Sequence, residues 1–244
     1  SKIWIKLNFS ENSFVPKERA AQASASNLHN QMVIHGGSSS NGALADDVLY
    51  YLTIKNNNEI QAEWKTIKTQ GPTPGSRYGH TLSYISPYFI LFGGNFNPKL
   101  ANDIWIINLN NNEYEWKKLN FPSDDENVPV PRIYHTSGVI KDGPYSNKVI
   151  IFGGRNEKDN PLNDLWSLSF GKDSDTCQWK KINNNSEGKQ LQSRNNHYML
   201  CYNSLLIFIG GKGPQSNYMP IEIFDTENNE IYTFKNLLVN RHTC

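Results

Sequence analysis

Cysteine is nearly missing from this chain of 244 residues, and the three that occur, Cys177, Cys201 and Cys244, form an odd set at unrelated spacings. That excludes a disulfide framework and fits a reducing compartment, the cytoplasm or the nucleus. Cys-x-x-Cys, His-Glu-x-x-His and calcium-loop spacings are all lacking, so no metal centre of its own is expected. A Gly-x-x-x-x-Gly-Lys-Ser/Thr loop is lacking too, which leaves Ser38 to Ser40 as an ordinary loop and not a phosphate cradle. The longest apolar runs, Tyr88 to Phe92, Lys148 to Phe152 and Leu205 to Ile209, are strand-length pieces, far short of the ~20 residues of a membrane-spanning helix. Neither sign of charge is in excess: 24 Lys+Arg stand against 23 Asp+Glu without a block of either. An electrostatic grip on nucleic acid or on a membrane is therefore not expected. No n-region, h-region or cleavage site opens the chain, and Ser1 reads as a cut inside a longer protein, so secretion is not expected either.

What is present is a repeat. An apolar run ending in two glycines occurs four times, at Gly36-Gly37, Gly93-Gly94, Gly153-Gly154 and Gly210-Gly211, with first glycines 57, 60 and 57 residues apart. Upstream of each pair stands an arginine, Arg19, Arg77, Arg132 or Arg194, followed in the last three units by a histidine at the same spacing, His80, His135 and His197. Downstream comes a short acidic-aromatic segment, Asn102-Asp103-Ile104-Trp105 and Asn163-Asp164-Leu165-Trp166, with Asp46 to Tyr50 as a looser version. The first three units then close on a tryptophan segment around Trp64, Trp116 and Trp179. Self-similarity at such a period is the signature of stacked supersecondary units.

No segment sustains an apolar period of 3.6, while short apolar runs alternate with turns rich in Asn, Asp and Gly, so the class is all-β. Each unit supplies four strands: a from the arginine, b into Gly-Gly, c after the acidic residue and d around the tryptophan. The glycine pair is read as the place where the backbone turns against a neighbour with positive φ. The tryptophans are read as surfaces for stacking one sheet on the next, each worth roughly 1.5 to 3 kcal/mol when buried.

The order Arg…His, apolar run, Gly-Gly, Asn-Asp-x-Trp and Trp-Lys-x-Leu resembles the kelch repeat, which implies β-propeller blades of four strands. Longer stretches, Gln70-Gly-Pro-Thr-Pro-Gly-Ser-Arg-Tyr-Gly-His80, Glu113-Tyr-Glu-Trp-Lys-Lys-Leu119, Pro131-Arg-Ile-Tyr-His-Thr136 and Gly153-Gly-Arg-Asn156 leading to Pro161-Leu-Asn-Asp164, resemble the kelch region of serine/threonine protein phosphatases with N-terminal kelch repeats, of plant and apicomplexan type. The Asn-rich turns suit a parasite member. This resemblance implies one kelch domain over 1–244, with blades at about 15–68, 72–120, 129–183 and 191–235. A lone outer strand at 3–7 and a lone inner strand at 241–244 remain. They imply the interior of a six-bladed ring, or else a five-bladed ring closed by pairing the two ends.

The metallophosphatase motifs Gly-Asp-x-His-Gly, Gly-Asp-x-x-Asp-Arg-Gly and Gly-Asn-His-Glu do not occur, so this chain is expected to be non-catalytic. A hydrolase domain elsewhere in the parent would hold the two divalent metal ions. The resemblance implies a protein-interaction domain that recruits or regulates for the phosphatase; the alternative is a kelch adaptor of another complex, a ubiquitin ligase or the cytoskeleton. Strand a is innermost in a kelch blade and its start shares a face with the b–c loop. Arg77, Arg132 and Arg194, with Tyr78, Tyr134 and Tyr198 and with Asn95, Arg155 and Lys212 from the b–c loops, are accordingly candidates to receive an acidic or phosphorylated protein segment, since the guanidinium fork matches carboxylate and phosphate. Equally open is that the arginines cap strand ends and pair with Asp103 and Asp164.

Overall fold

Alternation of apolar and polar residues sends every second side chain to the same sheet face, and in the computed structural model the repeats become strands. The structure describes residues 6, 7, 9, 13–27, 31–57, 59–110, 113–121, 127–171, 176–186, 188–215 and 219–234. The lone strands expected at 3–7 and 241–244 lie outside these residues, apart from Lys6 and Leu7. Among the described residues there is no α-helix.

Four antiparallel sheets of four strands carry the repeats. The first joins β1 (Ala23–Ser26), β2 (Gln31–His35), β3 (Leu49–Asn57) and β4 (Glu59–Ile67). The second joins β5 (Thr81–Ile85), β6 (Tyr88–Asn95), β7 (Leu100–Asn108) and β8 (Lys117–Leu119). In the third are β9 (Thr136–Val139), β10 (Val149–Phe152), β11 (Leu165–Phe170) and β12 (Cys177–Ile182). A short hairpin of β13 (Asn185–Ser186) and β14 (Lys189–Gln190) leads to the fourth, β15 (Tyr198–Tyr202), β16 (Leu205–Ile209), β17 (Ile221–Asp225) and β18 (Glu230–Phe234). Strand order follows chain order in every sheet, so each is a meander. The apolar run before Gly-Gly is always an interior strand, paired on both sides.

The chain divides into two compact units, residues 1–119 and 120–244, each with two sheets. In the first unit Val33 and Leu49 of the first sheet pack with Leu82, Phe89, Leu91 and Trp105 of the second and with Trp116 just before β8. Trp116 meets the His35 ring edge-on at 6.0 Å, placing its indole between the sheets. On the far side of the first sheet Trp64 packs with Ile34, Tyr50 and Leu52, and Leu7 lies against them. In the second unit Ile150, Phe152, Leu165 and Ile182 of the third sheet meet Leu206, Phe208, Phe224 and Ile231 of the fourth. The Phe152 and Phe208 rings lie 4.4 Å apart between centroids. Each such side chain, fully buried, stabilises by roughly 1.5 to 3 kcal/mol.

The glycine pair is explained by what the next sheet brings to it. Gly153 has φ +64, and a Cβ there would stand 2.5 Å from the carbonyl oxygen of Arg194. That carbonyl is held by the Gly154 N–H at 2.9 Å, and the Gly37 N–H donates to the Arg77 carbonyl at 2.8 Å in the same way. A second link repeats as well: the Gly79 N–H donates to the Ala21 carbonyl at 2.8 Å, and the Asn196 N–H to the Tyr134 carbonyl at 3.1 Å. Each seam is thus stitched by the backbone, and the close approach leaves no room for a side chain at the turn.

The thiols are packing groups. Cys177 is buried and Cys201 half-buried, both free; Cys244 lies outside the described residues. Burial pushes both thiols up to about 11, which keeps them protonated and unreactive near neutral pH. Cys201 occupies the space above Gly138, where a Cβ would meet its sulfur at 2.5 Å.

Candidate partner-binding face

In every repeat the arginine before strand a reaches across its own sheet to the carbonyl of the first glycine and to a carboxylate. Arg77 Nη1 donates to the Gly93 carbonyl at 2.9 Å, and its fork grips Asp103 at 2.7 and 3.2 Å. Arg132 does the same to Gly153, at 3.0 Å, and to Asp164, at 2.8 and 2.7 Å. Arg19 binds Gly36 at 3.0 Å and Asp46 at 3.1 Å. Arg194 binds Gly210 at 3.1 Å, the Pro220 carbonyl at 3.0 Å and the carboxylate of Glu222. The acid is fixed in turn by an aromatic donor: the indole N–H of Trp105 donates to Asp103 at 2.7 Å, that of Trp166 to Asp164 at 2.6 Å, and the Tyr50 hydroxyl to Asp46 at 3.1 Å. Burial alone would raise the carboxyls of Asp46 and Asp164, yet the arginine forks hold both below their ordinary value.

This geometry corrects the place of three candidates. Arg77, Arg132 and Arg194 are 2%, 0% and 0% exposed, and their forks are committed to a carbonyl and a carboxylate within the sheet. They tie strand a to the b–c turn and to strand c and do not project from the surface. Glu222 is the partner that motif reading missed, because the fourth repeat lacks Asn-Asp-x-Trp. The available signal was an acid between Ile221 and Ile223, on the opposite side of the strand from both.

The remaining candidates sit on a second repeated device. The residue after Gly-Gly is bridged to a residue next to the arginine by two backbone hydrogen bonds: Ser38 with Ala20, Asn95 with Tyr78, Arg155 with Ile133 and Lys212 with Asn195. Donor–acceptor distances run from 2.8 to 3.1 Å throughout. The start of strand a and the b–c loop therefore form one rigid platform per sheet. The first unit offers Tyr78 and Asn95, both half-buried. On the second unit Arg155 stacks over the Tyr134 ring at 5.1 Å and pairs with the exposed Asp159 at 2.5 Å, while Lys212 is exposed. Tyr134 has φ +58, in the left-handed region. Tyr198 is not part of a platform: it lies within β15, paired with Ile209, and is 63% exposed on the sheet face.

The histidines belong to the seams. His35 Nε2 is 2.9 Å from Asp47, whose other oxygen accepts from the Thr73 hydroxyl, and His35 Nδ1 is 3.1 Å from Nε2 of His80 in the next sheet. Asp47 accepts from His35 Nε2–H, and the contact between His35 Nδ1 and His80 Nε2 carries the network across the seam. The signal in the sequence was a histidine in the apolar run before Gly36, where the other repeats have Phe or Ile. In the second unit His197 Nε2 is hydrogen-bonded to the Thr136 hydroxyl at 2.7 Å. Among the described residues no three His, Cys, Asp or Glu side chains converge as a metal site.

Burial, with the Arg194 charge beside it, pulls His197 down from 6.5 to about 3. Burial, with Arg132 and His197, also holds His135 well below its ordinary value. A histidine kept neutral in the fold but protonated when unfolded contributes stability that is complete above 6.5 and lost as pH falls toward 3. Urea titrations at about pH 7 and about pH 4 are expected to show a loss on the order of 3 kcal/mol from His197 alone, and His197→Gln should flatten the slope.

Comparisons with known proteins agree with this architecture. The family model described as the KLHDC2/KLHL20/DRC7 Kelch-repeats domain matches residues 1–142 and 112–237. An F-box/kelch-repeat protein of Arabidopsis thaliana is 32% identical over 208 residues, covering 83% of this chain and 41% of that protein. The Serine/threonine-protein phosphatase BSL2 of the same plant is 29% identical over 197 residues, covering 80% of this chain and 18% of that protein. The chain thus spans less than half the length of either relative. Among solved structures, a chain in the cryo-EM structure of RAG in complex with one melted RSS and one unmelted RSS superposes with a TM-score of 0.68 over 93% of this chain and 68% of that one. At 18% identity that likeness speaks to the fold alone.

Proposed function

Since the chain belongs to the kelch-repeat family, a family of protein-interaction repeats, we propose that it receives its partner on the platforms beside the glycine turns and recruits substrates or regulators to a serine/threonine protein phosphatase. One observation carries the first part. Beneath the platform the backbone is the same in all four sheets, two hydrogen bonds at equivalent positions, while the side chain above it changes from Ser38 to Asn95, Arg155 and Lys212. A constant support under a changing side chain is what a recognition surface requires, because identity varies without disturbing the fold.

The second unit presents cations there, which favours an acidic or phosphorylated protein segment. The Arg155–Asp159 pair is exposed and is worth little, so a phosphate or carboxylate can displace it. Fluorescence anisotropy with phosphothreonine and glutamate-rich peptides tests this reading. Arg155→Glu combined with Lys212→Glu should weaken binding by about tenfold or more, ~1.4 kcal/mol, with an unchanged melting temperature. Equal affinity in the folded variant would remove the platforms as the site.

The phosphatase setting is supported by the similarity to BSL2, of which this chain covers a minor part. In this reading the catalytic domain, outside residues 1–244, holds the two divalent ions, and the protein works in the cytoplasm or nucleus. The F-box/kelch relative supports a second reading, an adaptor of a ubiquitin ligase. Sequencing the parent reading frame separates them: Gly-Asp-x-His-Gly, Gly-Asp-x-x-Asp-Arg-Gly and Gly-Asn-His-Glu beyond Cys244 favour the first. An F-box upstream of Ser1 without those motifs overturns it.

A further inference from the structure

The connector from the first sheet to the second carries a hydroxyl group that takes part in holding the two sheets together. It runs Gly71-Pro72-Thr73-Pro74-Gly75-Ser76-Arg77 and belongs to no strand. A residue that precedes proline is kept extended, so Pro74 holds Thr73 in the backbone shape that a modifying enzyme grips. Gly71 and Pro72 are exposed and Thr73 is half-buried. A Cβ at Gly75 would meet nothing within 4 Å, so the connector has open space beside it.

The Thr73 hydroxyl starts a chain of contacts that crosses the seam. It donates to Asp47 Oδ2, Asp47 Oδ1 is bonded to His35 Nε2 at 2.9 Å, and His35 Nδ1 lies 3.1 Å from His80 Nε2. His35 closes β2 of the first sheet, and His80 directly precedes β5 of the second. The backbone stitches of the same seam are next to these residues, the Gly37 N–H on the Arg77 carbonyl and the Gly79 N–H on the Ala21 carbonyl, both at 2.8 Å. Burial would raise the Asp47 carboxyl, yet the hydrogen bonds from His35 and Thr73 hold it below its ordinary value. The group that faces the Thr73 hydroxyl near neutral pH is therefore an anion.

We propose that Thr73 is a phosphorylation site for a proline-directed serine/threonine kinase, and that the phosphate loosens the seam between the first and second sheets. In the transfer Thr73 Oγ1 attacks the γ-phosphorus of ATP, the bond from that phosphorus to the β–γ bridging oxygen breaks, ADP leaves and the hydroxyl proton passes to the kinase. The product has lost the proton that Asp47 accepted and carries roughly −1.5 to −2 charges at pH 7. Phosphate and carboxylate then repel where a hydrogen bond stood, which drives Asp47 from its place beside His35. Ser86 also precedes a proline and is exposed, but it lies in the tight turn between the paired residues Ile85 and Tyr88 and not in an extended segment. The inference is independent of the ligand reading above, since neither Arg155 nor Lys212 enters it.

Incubation of the 244-residue chain with an active proline-directed serine/threonine kinase and ATP, followed by peptide mass spectrometry, should place phosphate on Thr73. Hydrogen exchange then reads the seam. Phosphorylation is expected to speed exchange of the Gly37 and Gly79 amides by at least about tenfold, with the Gly154 amide of the second unit unchanged as the reference. Thr73→Val loses the hydroxyl without adding charge and should speed the same amides by only about threefold. In Asp47→Asn the phosphorylated and unphosphorylated chains should differ by about threefold or less, because one of the two like charges is gone. Absence of phosphate from Thr73, or phosphate on Ser86 alone, would overturn the site. Exchange in the phosphorylated chain that matches the unmodified chain, or that matches Thr73→Val, would overturn the loosening by charge.

Discussion

Replacing Arg194 by methionine is expected to destabilise the chain by about 3–5 kcal/mol, the range found when one partner of a buried ion pair is removed. Arg194 and Glu222 are 0% and 1% exposed, so the carboxylate left behind has neither a counter-charge nor water. The Gly210 and Pro220 carbonyls would lose their donor as well. Glu222 also accepts the Gln192 N–H at 3.1 Å, which couples the loss to the segment entering strand a. Burial already pulls the Arg194 guanidinium below its ordinary pKa against the pull of Glu222, so the pair is held under a desolvation cost. Arg194→Met with Glu222→Met is therefore expected to recover much of the single variant's loss, since apolar replacement of both partners removes that cost. Urea denaturation of the two single variants and the double variant measures the coupling. Additive losses would mean that the pair does not act as a unit.

Gly153→Ala should be nearly as damaging, by about 3 kcal/mol or more, through strain and clash together. The new Cβ would face the Arg194 carbonyl at 2.5 Å, the His197 ring at 3.1 Å and the Leu162 carbonyl at 3.2 Å, with φ at +64. Two of those atoms are backbone, which cannot rotate away. Gly42→Ala serves as the control: its φ is +79, but nothing lies within 4 Å, so only the conformational cost of about 1 kcal/mol remains. Thermal melts of the pair separate seam closure from backbone preference. Equal losses would show that the approach of the next sheet is not what demands glycine at residue 153.

The same residues mark how far the sequence could be read. The all-β class, the meandering units and the glycine turns were legible because a pattern repeated four times reports its own period. Trp116 was legible as a stacking residue for a related reason: a large apolar side chain recurring at one place needs one repeated neighbour. The fate of the arginines was not. A guanidinium at the start of a strand serves a ligand or a carboxylate equally well, and only the register between strands a, b and c decides which. That register aims Arg77 at Asp103 and Arg132 at Asp164, so the alternative of internal pairing prevails. Tyr198 resembled Tyr78 and Tyr134 by proximity to an arginine, yet it lies four residues beyond Arg194, within the strand. The His35–His80 contact spans 45 residues and occurs in one repeat, so no periodicity exposed it.

Among the described residues each named strand pairs within its sheet only with the strand just before or after it, so each four-stranded meander is assembled from neighbouring segments of the chain. Local pairing of this kind keeps contact order low for an all-β protein and shortens the search for the native arrangement. One stitch of each seam runs forward, from the Gly37 N–H to the Arg77 carbonyl and from the Gly154 N–H to the Arg194 carbonyl, and the other runs back, from Gly79 to Ala21 and from Asn196 to Tyr134. As the polypeptide leaves the ribosome, the first sheet of a unit emerges whole before its neighbour and already carries the glycine N–H that donates to the next arginine carbonyl.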